Sequence, residues 1–211
     1  MKKHTKLRIT LLGILIFSLG ACAAAGRIIY PLQLDPLKNT PGIYQLDPSH
    51  ANIIFAVSHL GFSLHHGRFN TIEGSLELDT AAPENSRLFI SVQTGSIDTN
   101  NSALDGLLRA KEMFNSPEFP TASFESTALV MRSEKTATIE GFLTVKGIRK
   151  AIAIEASFIG SGTNPLTGLR TLGFSGSAQI RRSDFGLKEW LPWVGDTVDL
   201  IIEAEFSRAK N

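Results

Sequence analysis

A single cysteine, Cys22, leaves no partner for an internal disulfide and no set of thiolates for a metal site. Histidine is scarce as well, five in 211 residues, which argues against a histidine-rich metal store. Charge of neither sign dominates. The 21 Lys and Arg residues face 20 Asp and Glu, so a nucleic-acid binder working through a basic surface is not supported. No repeat with a period of about 20 to 50 residues runs through the chain, which speaks against a solenoid or a propeller. There is no Gly-x-Ser-x-Gly and no Ser/His/Asp set in a persuasive context, so a hydrolase has no footing either. Against these lacks, hydrophobic residues make up 43% and charged residues 19%. That composition belongs to a chain that folds around a core. The length suits one domain plus a targeting segment.

The N-terminus carries such a segment. Lys2, Lys3, Lys6 and Arg8 open the chain without an acidic residue, and Ile9 to Leu19 is then almost wholly apolar. A run of about a dozen residues is the core of a signal peptide, since spanning a bilayer takes roughly 20. Leu19-Gly20-Ala21-Cys22 follows and resembles a bacterial lipobox, in which the cysteine becomes the acylated first residue. An ordinary signal peptide cut after Ala23 or Ala25 fits the same small residues. Both readings imply export. If Cys22 is lipidated, Ala23 after it lacks the acidic residue associated with inner-membrane retention, which favours an outer-membrane anchor facing the periplasm. Without residues 1–21 the chain holds 17 basic against 20 acidic residues, a net charge of −3. Such a surface has no electrostatic reason to seek anionic headgroups or nucleic acid. Residues 22–41, punctuated by Pro31, Pro36 and Pro41, read as a linker. Packing of Ile28 to Leu37 along the domain is the alternative.

From Gly42 the hydrophobic period is two. Ile72, Leu76 and Leu78 alternate with polar neighbours, as do Leu88, Ile90 and Val92. The same holds for Ile152, Ile154, Ala156 and Phe158, and for Val198, Leu200, Ile202, Ala204 and Phe206. Asn52 to His59 is apolar on both faces. Turn chemistry at Pro83 to Asn85, at Arg132 to Lys135 and at Gly160 to Gly168 separates the runs, and Gly147 makes a tight link. One helix interrupts them, Ser102 to Phe114, with Ser102 and Asp105 as its N-terminal cap. A short turn is expected at Arg181 to Phe185. Eight to ten antiparallel strands with one short helix predict a closed β-barrel, with a two-sheet sandwich as runner-up.

Tyr44-x-Leu46-Asp47-x-x-His50, Phe55-x-Val57-x-His59-x-Gly61 and Gly67-x-Phe69 resemble the opening signature of the YceI-like family. Ile97-Asp98-Thr99, Phe114 to Pro120, Phe124-Glu125-Ser126 and Gly141 to Ile148 continue the match in order. Arg182-Ser183-Asp184-Phe185-Gly186 and Val194-Gly195-Asp196-x-Val198 close it. The resemblance covers residues 42–207 and implies an all-β fold, an antiparallel lipocalin-like barrel with one short helix inserted. It further implies no catalytic activity and binding of polyisoprenoids or similar amphiphilic lipids in an apolar tunnel. Homodimers are common in the family. A non-ligand envelope protein with a fully packed barrel is the rival reading. One departure stands out: Leu64-His65-His66-Gly67 puts histidines where a hydrophobic residue is usual before the Gly-x-Phe. Adjacent strand residues face opposite sides, so one of the two histidines meets the interior.

Site residues follow from strand parity. Ile53, Phe55, Val57 and His59 form the inward set of their strand, in preference to Ile54, Ala56 and Ser58, because they carry the larger apolar groups and end in a polar one. Phe69, Phe124, Phe142, Phe158 and Phe174 are candidates to line the tunnel. Phe142 sits opposite the aliphatic face of its own strand. His59 is a candidate headgroup contact, while His50 beside Asp47 and Ser49 reads as a hydrogen-bonded structural residue. Arg182 either pairs with Asp184 to fix a turn or meets a pyrophosphate. Trp190 and Trp193 lie in a loop that gates a cavity, touches a membrane or covers a barrel end. Neither a metal nor a cofactor is expected. The expected partners are a long-chain lipid, a membrane through the Cys22 anchor and a second copy of the chain.

Overall fold

The computed structural model describes residues 31–208. Cys22 and the leader lie outside that range. The described chain runs β1 (Gly42–His59), β2 (Ser63–Phe69), β3 (Ile72–Leu78), β4 (Arg87–Gln93), β5 (Ile97–Asp98), α1 (Ser102–Arg109), β6 (Thr121–Met131), β7 (Thr136–Val145), β8 (Ile148–Thr163), β9 (Arg170–Arg181) and β10 (Val194–Arg208). Eight of the strands close a ring in the order β1, β3, β4, β6, β7, β8, β9, β10 and back to β1, with every pairing antiparallel. The β1–β10 ladder makes the closure that a sandwich would lack. Short β2 pairs with the second half of β1, and β5 with β2, as a flap beside the ring.

Local chemistry explains the irregular places. Residues 42–59 form one strand that continues through Pro48. Leu46 pairs with Phe206 and Ala51 with Ala204, so four residues stand opposite Glu205 alone. Proline is tolerated in such a bulge because it has no N–H to give to the ladder. The bulge also changes parity: Tyr44 and Leu46 face inward before it, and Ala51, Ile53, Phe55 and Val57 after it. Lys146 and Gly147 both take positive φ, 52° and 74°, as a two-residue hairpin turn requires.

Helix α1 is shorter than its sequence pattern. Its cap is Asn101, whose side chain accepts from the N–H groups of Ala103 and Leu104 at 3.1 and 3.2 Å. Buried Asp105 instead accepts from the backbone N–H and the hydroxyl of Thr99. Residues 110–119 continue as turns, which bury Met113 without further helix.

The described part of the expected linker, 31–41, is tied to the barrel. β7 begins at Thr136, opposite Ser157, so β8 outruns it and its last residues have a free edge. Gln33 takes that edge, exchanging backbone hydrogen bonds with Ser161 at 2.8 and 2.9 Å. Buried Asn39 accepts from Ser161 and Arg170, and Tyr44 donates its phenol hydrogen to the carbonyl of Thr40 at 2.6 Å. Residues 31–41 are thus held to the barrel at Gln33, Asn39 and Thr40, while Leu32, Leu34 and Leu37 stay exposed.

Two apolar clusters hold the barrel. Tyr44, Leu46, Ile72, Leu76, Leu172 and Phe206 make the first, at the N-terminal end of β1. Ile97, Leu108, Met113, Ala122, Phe185 and Leu187 make the second, where α1 and the short turn Arg182–Phe185 meet the other end.

Candidate functional site

Between the clusters the barrel is hollow. A cavity of about 860 Å³ runs through it, lined almost entirely by apolar side chains. Ligand pockets run to roughly 300–1,000 Å³, so this one is large. A fully packed barrel is thereby excluded for the described residues. The lining shows the cavity in its own exposure: Ile53, Phe55 and Val57 point inward yet are only half-buried, because empty space faces them.

Two inward glycines help to keep the space open. A Cβ on Gly67 would lie 2.3 Å from the ring of Phe55, the residue opposite it on β1. A Cβ on Gly141 would lie 2.6 Å from the ring of Phe124. Each ring occupies the room that its glycine leaves at the wall. Edge and tilted contacts then join Phe55, Phe69 and Phe114 at 5.9 and 5.8 Å between centroids, and Phe158, Phe174 and Phe206 at 5.5 and 6.0 Å.

The cavity wall includes Ile53, Phe55, Val57, His59, Phe69, Phe124, Phe158, Phe174 and Arg182. Phe142 is not in it. Ala137, Ile139, Leu143 and Val145 are the inward residues of β7, so Phe142 is out of step with them. The Arg149 guanidinium lies 3.7 Å above its ring centroid, a cation–π contact on the outer surface. Residue type suggested this phenylalanine, and parity excludes it. Residue type also hid part of the wall. Leu88, Ile90, Leu200 and Ile202 line the cavity and carry the same period-two signal as the phenylalanines. Leu104, Leu107 and Leu108 reach it from α1, as their helical spacing allows.

Arg182 is 5% exposed and makes no pair with Asp184. It donates to four backbone carbonyls instead: Leu187 at 2.6 Å, Gly195 at 2.7 Å, and Glu189 and Val194 at 2.9 Å. Burial pushes its pKa down, and the charges of Asp196 and Glu189 oppose that. These bonds pin the loop that carries Trp190 and Trp193, so Arg182 fixes the turn through carbonyls and not through the expected pair with Asp184, with four of its five N–H groups committed. The carboxylate expected of Asp184 is supplied by Asp196, which accepts from the backbone and hydroxyl of Ser183 and from Arg181.

That loop forms one lip of the cavity. Leu60 N–H donates to the carbonyl of Trp193 at 2.8 Å, which joins it to the β1–β2 turn. Leu60, Trp190 and Trp193 line the cavity and also reach solvent, beside Phe62 at 86% exposure. His59 and His65 are at this end, and His66 points outward. His50 is elsewhere, on the β1 bulge. Its Nδ1 lies 2.8 Å from Asp47 Oδ2, and Asp47 also accepts from the N–H of Ser49. Glu205 completes an Asp–His–Glu group on the outer wall, where it locks the bulge. The four histidines of residues 50–66 thus do not converge.

The YceI-like domain model matches residues 44–206. A UPF0312 protein of Azotobacter vinelandii is 38% identical over 156 residues, 74% of this chain and 81% of that protein. Among solved structures, BcnA of Burkholderia cenocepacia superposes with a TM-score of 0.69 at 20% identity, covering 76% of this chain and 98% of its own. A domain from Saccharophagus degradans, described as polyisoprenoid-binding and implicated in plant cell wall breakdown, superposes at 0.62 with 15% identity. It covers 81% of this chain and all of its own. At such identities the two structures speak to the fold.

Proposed function

The chain belongs to the YceI-like family, and on that premise we propose that it binds a long-chain amphiphilic lipid inside the barrel. The guest is a polyisoprenoid, a quinone or a related molecule, and the protein acts as its carrier, store or sensor. The observation that carries this reading is the apolar cavity of about 860 Å³ in a ring of eight strands. The description of the Saccharophagus domain as polyisoprenoid-binding supports it. Burying one isoprene unit gains about 2–3 kcal/mol at roughly 25 cal/mol per Å², so a few units give useful affinity without a charged contact. The chemistry asked of the protein is exclusion of water from a hydrocarbon tail, and the reading is of a binding protein, not an enzyme.

Native mass spectrometry after gentle purification, followed by lipid extraction, tests the proposal. A co-purifying amphiphile of stoichiometric mass is expected. A protein that is empty from its own host, and that takes up no prenyl lipid when one is offered, contradicts it.

The same reading places the protein in the cell envelope, anchored through Cys22 to the outer membrane on the periplasmic side, and pairs it as a homodimer. The basic start, the short apolar run and Leu19-Gly20-Ala21-Cys22 support the anchor. Cys22→Ser should move the protein from the membrane fraction to the soluble fraction. A mature N-terminus at Ala24 or Gly26 would instead show ordinary signal cleavage. Light scattering on the purified chain checks the dimer.

A further inference from the structure

Ser161 of β8 stands in line with Leu172, Phe206 and Leu46 across β9, β10 and β1. The bridge from Gln33 to Ser161 therefore marks the end of the barrel away from the lip of Trp190 and Trp193. Neighbours along an extended segment face opposite ways, so Leu32 and Leu34 share the side that Gln33 does not. They lie over bare backbone. A Cβ on Gly160 would be 3.4 Å from Leu34 and 3.6 Å from Leu32, and one on Gly162 would be 3.5 Å from Leu32. Ile159 joins them, 3.8 Å from the Cβ position of Gly173, the partner of Gly160 on β9. Phe158 and Leu172 turn inward to the first apolar cluster, so this face is the outer wall. Leu32, Leu34 and Ile159 are 62, 47 and 56% exposed, and Leu166 at the tip of the β8–β9 turn is 93% exposed. That turn is fixed: the Asn164 side chain accepts from the N–H groups of Leu166 and Thr167, and its carbonyl from Gly168 at 2.7 Å. A fixed turn that holds a leucine in water, near three further exposed aliphatics, makes an apolar face with no cover among the described residues.

We infer that this face lies on the bilayer that holds Cys22. The inference rests on the lipid anchor proposed above. Nine residues, 22–30, separate the anchor point from Pro31, and the face begins at the next residue, Leu32. Fully extended, those nine span about 30 Å, so the anchor keeps the bilayer within that reach of the face. A tether this short holds the two at an effective concentration near the millimolar range, and a weak apolar contact is then enough to dock them. The nearby charges do not stand in the way. Asp35 pairs with Lys38 at 3.4 Å, and Arg170 is committed to Asn39 and Ser161. Leu37 is 48% exposed and also belongs to the cavity wall, so docking brings one end of the cavity to the bilayer. The aromatic lip, at the other end of the barrel, then faces away from it.

The test uses the acylated mature chain in vesicles of phosphatidylethanolamine and phosphatidylglycerol, with a nitroxide on one introduced cysteine. With Cys22 acylated, Leu166→Cys supplies the one free thiol, and Phe62→Cys places the same probe at the lip. Both side chains are more than four-fifths exposed, 93 and 86%, so neither substitution disturbs the core. On the vesicles the Leu166 label should gain access to oxygen dissolved in the bilayer and lose access to a water-soluble nickel chelate. The Phe62 label should keep its solution values. Adding Leu32→Asn and Leu34→Asn should return the Leu166 label to water, and immersion unchanged by that pair would overturn their part in the contact. A Leu166 label that stays in water on an anchored chain would overturn the proposal. So would a Phe62 label immersed in the bilayer, which would assign the membrane contact to the lip. If mass spectrometry finds Cys22 unacylated, the anchor reading fails and this one with it, an outcome distinct from an anchored chain whose Leu166 stays in water.

Discussion

Asp47 and His50 hold the bulge of β1 by charge as well as geometry. The hydrogen bond to Asp47, with the charge of Glu205 behind it, raises the pKa of His50 above the ordinary 6.5. The same hydrogen bond is the main cause that holds Asp47 below 3.8. A raised imidazole contributes stability that is fully present below 6.5 and is lost as pH rises through the raised value. A depressed carboxylate contributes stability present above 3.8 and lost as pH falls through the lowered value. The lock is thus at full strength from about pH 3.8 to 6.5. In an NMR titration the wild-type His50 should titrate above 6.5, and Asp47→Asn should return it toward that value. An unchanged midpoint in the variant would show that Asp47 is not the cause. Because the pair is at the surface, the effect on global stability is small.

At the scale of elements, the long β1 decides most of the site. Its bulge reverses which residues face inward, and simple alternation from Tyr44 would have turned Phe55 and Val57 inside out. The assignment of Ile53, Phe55, Val57 and His59 was nevertheless legible, because side-chain size separates the two faces after Asn52. The continuity of β1 was not legible, since Asp47-Pro48-Ser49-His50 reads as a turn. β2 was obscured by its polar residues, and β5 is two residues long. Phe142 shows the converse error: one residue's type outweighed the parity of its strand. The wall also makes a mutational prediction. Gly67→Ala places a methyl against the Phe55 ring and should push that ring into the lumen, at a cost of about 1–3 kcal/mol in stability. Lipid uptake should fall with it. A variant with wild-type melting temperature and wild-type uptake would mean that the ring has another place to go.

For the whole molecule, a closed barrel and one short helix were visible in the sequence, because alternation, turn residues and a single amphipathic stretch leave few other solutions. Whether the barrel is packed or hollow was not visible. An inward leucine is apolar in either case, and period two does not distinguish a neighbour from a void. The void arises from tertiary geometry: eight strands in a ring, rings of Phe55 and Phe124 laid over glycines, and clusters toward the two ends. In the proposed function this void holds a lipid tail along the inward face of β1. Val57 lies in that wall, opposite His65 and beside Val198 of β10, and the indole of Val57→Trp has the lumen as its space. The most direct measurement is lipid occupancy by native mass spectrometry, on wild type and Val57→Trp purified side by side with circular dichroism to confirm the fold. A bound amphiphile is expected in the wild type and an empty, folded barrel in the variant. A folded Val57→Trp protein that retains the same lipid in the same amount would contradict it.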